Sequence, residues 1–361
     1  MNPRSIGIAF LLVVAPARAQ ERPLVQRFRI ESELATVATR STLVDGEERA
    51  FGGGGGGRGG GPSIPSGPSE TSSRAVVGFE ESNAPHAPRR YLELHADETR
   101  AGRDGLPQAS RVEGALTGRS VVRAVDDQGQ VLLVELDGDQ RRELASELAT
   151  GVPARVDLAP LVPKSDQKDG VEYALDAPAR AALRGLFHPV TSDRRGGGFG
   201  GPGGRGRGSR GRPGGSGIAE WIALLESEAM KLEGKATLAG VVEVDGRSIA
   251  RVRIEFALRG ADTPARLGIA GLGGTGGFGG RGAPGGENAG EAKAEATLTL
   301  TGEIQVDRAA RRVIAVDLKG TLESMSSTKR EVERDGKKSV FETRATSTGT
   351  LALRATVGPV D

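Results

Sequence analysis

The sequence contains no cysteine among its 361 residues. Disulfide bonds and thiolate chemistry are therefore excluded, and the fold must be stabilised by the packing of apolar side chains. Aromatic residues are also scarce, at 3 % of the chain. We therefore expect a core built mainly from Val, Leu, Ile and Ala.

Long hydrophobic runs are absent except at the N terminus. Residues 6–14 form an apolar run after Arg4, and Ala17-Arg18-Ala19 provides a small-x-small motif. This pattern is typical of a secretory signal peptide cleaved before Gln20, and the run is too short for a membrane-spanning helix. The sequence thus predicts an exported protein, periplasmic or extracellular, with no transmembrane segment.

Charge of either sign is not in excess. The chain carries 49 basic and 47 acidic residues, and loss of Arg4 and Arg18 with the signal peptide would leave 47 of each. A neutral mature protein has no global field that attracts polyanions. We therefore do not expect a nucleic-acid partner, and any electrostatic binding must come from local patches.

Several segments of the mature chain alternate between apolar and polar residues, as the strands of β-hairpins do. Residues 236–260 place Leu238, Val242 and Val244 on one predicted face, turn at Asp245-Gly246, and then alternate apolar and charged residues over 251–258. Residues 296–320 repeat this pattern around Asp307, and residues 114–139 repeat it more loosely. We interpret the similarity as shared hairpin patterning, with true internal repeats as the alternative.

Further extended segments are predicted near both ends of the mature chain. Residues 339–357 alternate after a turn at Asp335-Gly336, and residues 25–51 form a weaker hairpin around Asp45-Gly46. Residues 89–98 are predicted to form a short strand.

Two amphipathic helices are predicted. The first spans 218–232, with an apolar stripe through Trp221, Ile222 and Leu225, and ends before Gly234. The second covers 176–187, with Asp176 as its N-cap. Residues 140–151 are a possible third helix.

Three glycine-rich segments, 51–69, 194–217 and 268–290, are expected to be disordered loops because glycine offers no side chain to bury. The middle segment holds thirteen glycines and six arginines and is predicted to link an N-terminal β-rich domain, 20–193, to a C-terminal one, 218–361. A single sheet with looped-out insertions is the alternative. The arginines available for anion contact are Arg194, Arg195, Arg205, Arg207, Arg210 and Arg212.

Catalytic motifs are not found. The sequence has no G-x-S-x-G motif, and its G-x-G-x-x-G matches in the glycine-rich segments lack the strand and helix that a pyrophosphate site requires. The three histidines are His86, His95 and His188. On a regular strand His95 would share a face with Tyr91, Glu93 and Asp97, which we interpret as a solvated face rather than a metal site. No catalytic, cofactor-binding or metal-binding residue is nominated.

The chain resembles uncharacterised exported bacterial β-rich proteins, from its signal peptide through hairpins such as 296–320. The resemblance covers most of the mature chain, carries no diagnostic motif and implies no known activity. We predict an α+β, strand-dominated fold of antiparallel hairpin meanders, in open sheets similar to half-barrels, with one or two helices packed on a face.

Three hypotheses for the function follow, and the last of them is a hydrolytic enzyme, for which no motif is found. The first is a non-catalytic binding module whose curved sheet holds an apolar ligand or a partner; the possible ligand face consists of Trp221, Ile222, Leu225, Ile254 and Phe256, although this stripe is most simply core. The alternative is a structural or cell-envelope protein that contacts anionic polymers through the Gly/Arg-rich segment.

Overall fold

The protein forms one large antiparallel β-sheet with a helical layer on one face, as seen in a computed structural model. The structure describes residues 25–48, 68–82, 84, 87–101, 106–125, 131–137, 140–144, 152–153, 155–163, 169–191, 218–267, 269, 292–334 and 337–360. The predicted strand-dominated α+β class is confirmed.

The fourteen strands within these ranges vary widely in length, from two residues to 23. Their bounds are β1 Val25–Val44, β2 Glu47–Glu48, β3 Ser69–Ser82, β4 Arg89–Ala101, β5 Pro107–Glu113, β6 Ser120–Val125, β7 Val131–Asp137, β8 Gln140–Glu143, β9 Glu172–Ala174, β10 Lys231–Val244, β11 Arg247–Asp262, β12 Ala292–Asp307, β13 Arg312–Arg334 and β14 Lys337–Pro359. The helices are α1, Ala177–Gly185, and α2, Ile218–Glu226, with a 3₁₀ turn at Ala159–Leu161.

The strands follow a linear order, β8-β7-β6-β4-β3-β1-β14-β13-β12-β11-β10-β9, with β2 paired to β1 and β5 to β4. Most neighbours in this order are also consecutive in sequence, as expected for a hairpin meander. The exception at the centre is β1, which pairs with β14 from Gln26 opposite Pro359 to Val44 opposite Phe341. Strands from both predicted domains therefore belong to one sheet, while the proposed division at 194–217 stays a prediction.

The core lies between the sheet and the helical layer. Alternate residues of each strand, such as Val252, Ile254 and Phe256 of β11, are buried, while the residues between them are exposed. Helix α2 packs on this apolar face over β13, where Gly320 leaves room for the ring of Trp221. We call the opposite, polar side of the sheet the open face. None of the helices in the described ranges has the length and hydrophobicity of a membrane-spanning helix.

Turn chemistry explains where the hairpins reverse. Asp45 and Asp245 have positive φ values of 53° and 51°, and each is followed by a glycine with positive φ. Two consecutive residues with positive φ are the signature of the tight turn that best fits twisted antiparallel strands. The predicted turns at Asp45-Gly46 and Asp245-Gly246 are confirmed.

The helix predicted over 218–232 is too long. Helix α2 ends at Glu226, and Lys231 to Gly234 belong to β10, where Leu232 pairs with Leu258. Arg180 of α1 donates hydrogen bonds to carbonyls at and just beyond the C-terminal end of α2, including those of Leu224 and Leu225. These bonds satisfy carbonyls that a longer helix would use, and the sheet supplies the partners for the residues that follow.

Two other expectations have clear outcomes. The helix over 176–187 is confirmed: Asp176 accepts a hydrogen bond from the Ala179 amide at 3.1 Å and Pro178 lies in the first turn. The possible helix over 140–151 is wrong at its start, because Gln140–Glu143 forms strand β8 on the edge of the sheet.

A β-bulge corrects the predicted face of β10. The register shifts between Leu238 and Gly240, so Val241, rather than Val242, faces the core opposite Ala250. Val242 and Val244 are consequently 41 % and 50 % exposed. The period of two continues on both sides of the bulge, but the extra residue exchanges the two faces.

Several predicted features lie outside the described residues. These are the signal peptide, 1–19, most of the three glycine-rich segments, and the turn at Asp335-Gly336. Their assignments stay predictions.

Candidate functional site

The five side chains of the predicted apolar ligand face lie together inside the core. Their exposed fractions do not exceed 5 % for Trp221, Ile222, Leu225, Ile254 and Phe256. The Trp221 ring stacks on Phe187 with 6.4 Å between ring centroids, and a Cβ placed on Gly320 would come within 3.0 Å of its Cζ3. These side chains contact protein atoms of the sheet and the helical layer, so a ligand would reach them only if α2 moved away.

The six arginines proposed for anion contact, from Arg194 to Arg212, lie outside the described residues. Their role stays a prediction.

The three histidines do not form a common site. His86 lies outside the described residues, and His188 is buried against Phe79 and Tyr91. His95 lies 3.5 Å from Glu93, measured from Nδ1 to Oε1. A bulge between the pairs Gly78–Glu93 and Phe79–Tyr91 puts Tyr91 on the buried face, so the expectation that it shares a face with His95 is wrong. Within the described ranges no cluster of three metal-ligating side chains is found.

A large groove lies on the open face, across β10 to β14. Its volume is about 1200 Å³, above the range of about 300–1,000 Å³ typical of pockets for drug-sized ligands. Five neighbouring strands contribute to it, because their residues of one parity all point away from the helical layer. Ile254 and Phe256 border the groove, but their side chains point to the core.

Nine of the 21 residues that line the groove are charged, and several of them form cross-strand ion pairs. Arg251 holds Glu303 through two hydrogen bonds, of 2.8 and 2.6 Å. Lys235 lies 2.9 Å from Glu172 and 3.5 Å from Glu255. The hydrogen bond to Glu303 raises the pKa of Arg251, and that to Glu172 raises the pKa of Lys235. Both cations therefore remain charged at neutral pH.

A third ion pair lies at the β14 end of the groove. Arg354 lies 3.5 Å from Asp317, which stands directly opposite Glu303 across β12 and β13. Each of these two carboxylates is therefore held by an arginine, and the groove presents them as cross-strand ion pairs.

Two cations of the groove make no ion pair within the described part of the chain, Arg253 of β11 and Lys319 of β13. Both are exposed, and Thr301 of β12 stands between them, directly opposite Lys319. The strand register places Arg253 and Lys319 two strands and two residues apart, which corresponds to about 12 Å between their Cα atoms. Long side chains from both positions can therefore reach a group bound above Thr301.

A second groove, of about 680 Å³, continues the first on the same face. It is lined by residues of β13, β14, β1, β3 and β4, and Lys319 belongs to both grooves. Hydroxyl groups of Ser72, Thr99 and Thr350 lie among its charged residues. We call the two grooves together the trough; it crosses eight neighbouring strands, a distance of about 33 Å along the sheet.

The alternation that predicted the strands also contained the signal for the trough. Arg251, Arg253 and Glu255 were assigned to the solvent face of one hairpin, but only as polar counterparts of the core residues. What sequence reasoning missed is their juxtaposition with β1 and β3, which depends on the pairing of β1 with β14.

Comparison with known proteins adds no family. No family model matches the sequence and no curated protein matches it, which agrees with the prediction that it has no diagnostic motif. Among solved structures, it aligns with the outer membrane protein OprG from Pseudomonas aeruginosa at 6 % identity and a TM-score of 0.18, over 94 % of this chain and 98 % of that one. It also aligns with OpdQ from Pseudomonas aeruginosa at 6 % identity and a TM-score of 0.15, over 93 % and 98 %. Similarity this low carries no argument about fold or function.

Proposed function

We propose that the protein is a binding module, without catalysis, that holds an extended polar ligand in the trough. The observation that supports this most directly is the groove of about 1200 Å³ on the open face, which continues through Lys319 into the second groove. The lining combines charged groups with hydroxyls, which suits a ligand that both donates and accepts hydrogen bonds.

This proposal keeps the curved antiparallel sheet of the first hypothesis but moves the ligand to the opposite face. An apolar ligand beside Trp221 would have to displace side chains that are at most 5 % exposed. A ligand in the trough requires no such rearrangement, and preorganised surfaces bind with a smaller loss of conformational entropy.

Affinity electrophoresis tests the proposal with two linear polysaccharides, alginate, which carries carboxylates, and dextran, which is neutral. We expect at least one of them to retard the full-length mature protein. Thr301→Trp fills the groove between Arg253 and Lys319 and should restore free mobility. Thr348→Trp is the matched control, because Thr348 is equally exposed on β14 but lies outside both grooves.

Equal retardation of Thr301→Trp and the wild type would contradict binding in the trough. Native mass spectrometry distinguishes the earlier hypothesis: a co-purifying mass of lipid size, retained by Thr301→Trp, would favour an apolar ligand at the Trp221 face instead. Export and an envelope location remain part of the proposal, and they are tested by the mass of the mature protein, which should begin at Gln20.

A further inference from the structure

The trough contains two cations for which the described part of the chain provides no acidic partner. Each of the three other cations in the large groove, Lys235, Arg251 and Arg354, lies within 4 Å of a carboxylate. Arg253 stands opposite Glu303 in the strand register, but Glu303 is held by Arg251 through both of its oxygens. Lys319 stands opposite Thr301 and Ala352, which carry no charge. Among the described residues, Arg253 and Lys319 therefore have unused capacity for an anion.

The positions of these cations suit a ligand that runs across the strands. Lys319 lies where the two grooves meet, and Arg253 lies within the larger groove. A chain that follows the trough would pass both side chains in succession. Anionic groups at intervals along such a chain can then be met by charge-assisted hydrogen bonds.

The carboxylates of the trough restrict which anionic chain fits. Glu255, Glu303 and Asp317 line the large groove, and Glu33 and Asp97 line the second. A polymer that carries only anionic groups, such as polyphosphate, would be repelled by them. Sugar hydroxyls, in contrast, donate hydrogen bonds to carboxylates. They can also donate hydrogen bonds to threonine, serine and glutamine side chains and accept hydrogen bonds from them.

We infer that the ligand is a linear acidic polysaccharide, with Arg253 and Lys319 binding its carboxylates and the remaining polar side chains of the trough binding its hydroxyls. This inference rests on the proposed function, since it names the ligand class of the same trough. Because exposed ion pairs are weak and screened by salt, recognition of this kind depends on several contacts along the polymer.

Isothermal titration calorimetry of the full-length mature protein with alginate oligomers tests the inference. We expect the double variant Arg253→Gln/Lys319→Gln to bind about tenfold more weakly than the wild type, since two charge-assisted contacts are lost. The matched control is Arg308→Gln/Lys338→Gln, which removes two exposed cations outside the trough and should leave the affinity unchanged. Raising the salt concentration should weaken alginate binding by the wild type more than alginate binding by Arg253→Gln/Lys319→Gln.

The outcomes separate this inference from the proposed function. If Thr301→Trp abolishes binding while Arg253→Gln/Lys319→Gln leaves it unchanged, the trough binds the ligand but recognition of its carboxylates is wrong. Dextran oligomers bound as tightly as alginate, or polyphosphate bound more tightly, would also overturn the inference. If wild type and Thr301→Trp bind alginate equally and also bind dextran equally, both proposals fail.

Discussion

His188 is a titratable side chain enclosed by aromatic rings and cations. It follows α1 and packs against Phe79 and Tyr91 of β3 and β4, at 5.0 and 6.4 Å between ring centroids. Burial holds the pKa of His188 well below its usual value, and the charges of Arg89 and Arg184 lower this pKa further. The Gly185 backbone acts in the opposite direction and raises the pKa of His188, but by less. Folding therefore requires the neutral ring.

This requirement predicts a loss of stability in mild acid. Below pH 6.5, the usual pKa of histidine, the unfolded chain gains a proton that the folded chain does not, so this one site lowers the free energy of unfolding by about 1.4 kcal/mol per pH unit. His188→Phe should remove this dependence. At pH 7 it should be neutral or stabilising, because neither ring nitrogen makes a hydrogen bond of good geometry in the described part of the molecule.

Urea denaturation of both proteins at pH 7, 6 and 5 checks the prediction. The difference in unfolding free energy between His188→Phe and the wild type should increase as the pH falls. A constant difference would show that His188 does not titrate differently on unfolding. His95→Phe is the control, because His95 lies on the open face.

Glu220 is expected to show the opposite pH dependence. Burial raises the pKa of this carboxyl; the hydrogen bond that Ser324 donates to it and the nearby Ser347 hydroxyl lower the pKa by less. Folding therefore favours the protonated carboxyl of Glu220. The contribution of Glu220 to the free energy of unfolding is fully present below pH 4.5, the usual pKa of a glutamate, and is lost as the pH rises through the pKa of the folded state.

Glu220→Gln should accordingly be more stable than the wild type at pH 7 and about equal to it near pH 4. The amide oxygen can still accept from the Ser324 hydroxyl, 2.9 Å away in the wild type, so the variant removes the charge rather than the contact. Thermal melting at both pH values measures the effect. A variant that is less stable at pH 7 would mean that the ionised carboxylate stabilises the fold.

At the scale of the elements, the backbone of β13 leaves no room for a side chain at Gly302 of β12. Its φ of 157° is one that side-chain-bearing residues rarely adopt, and a Cβ there would collide with the Asp317 carbonyl oxygen. Asp317 and Glu303, which follows Gly302, both line the large groove. The glycine therefore supports the local shape of the proposed binding site.

Gly302→Ala should destabilise the protein by about 3 kcal/mol, because backbone strain and steric overlap add. Gly358→Ala in β14 is the matched control, since a Cβ there would meet no atom within 4 Å; its effect should stay below about 0.5 kcal/mol. Chemical denaturation compares the two. Equal stabilities would show that β12 and β13 adjust without cost.

For the whole molecule, the sequence predicted local pairing better than long-range order. Turns at Asp-Gly and alternation along 251–258 were sufficient for the hairpins, because both signals are contained in adjacent residues. The bulges at Leu238–Gly240 and at Leu92 were not predicted, since each depends on how a strand fits its neighbours. The end of α2 depends on Arg180, 44 residues or more away in sequence.

The candidate site was predictable only in its parts. The polar residues of each hairpin could be assigned to solvent, but their assembly into a trough requires β1 to lie beside β14. A meander could equally have ended in two separate sheets, as the predicted domain division assumes. The apolar stripe of Trp221 was recognised, but periodicity alone does not distinguish a ligand face from a core.

Because β1 pairs with β14, we expect the two predicted domains to stay together when the chain between them is cut. If the chain is cut at a protease site engineered within 194–217, the two fragments should remain associated. They share the β1–β14 and β9–β10 pairs and an ion pair of 2.8 Å between Arg184 and Glu226. Gel filtration before and after addition of urea measures this association.

A complementary experiment uses the C-terminal fragment, 218–361, expressed alone. It lacks β1 and α1, so β14 would expose one edge and α2 would lose its contacts with Arg180. We expect no cooperative thermal transition. A sharp transition would instead support an independent C-terminal domain.

The neighbouring positions of β1 and β14 also determine when the molecule can fold. Strand β1 must wait for β14, and closing a loop of 295 residues between Asp45 and Val340 carries a large entropic cost. Until β14 has been synthesised, β1 can pair with β3 on one edge but lacks its partner on the other. We therefore expect the β1–β14 pair to be among the last parts of the sheet to form.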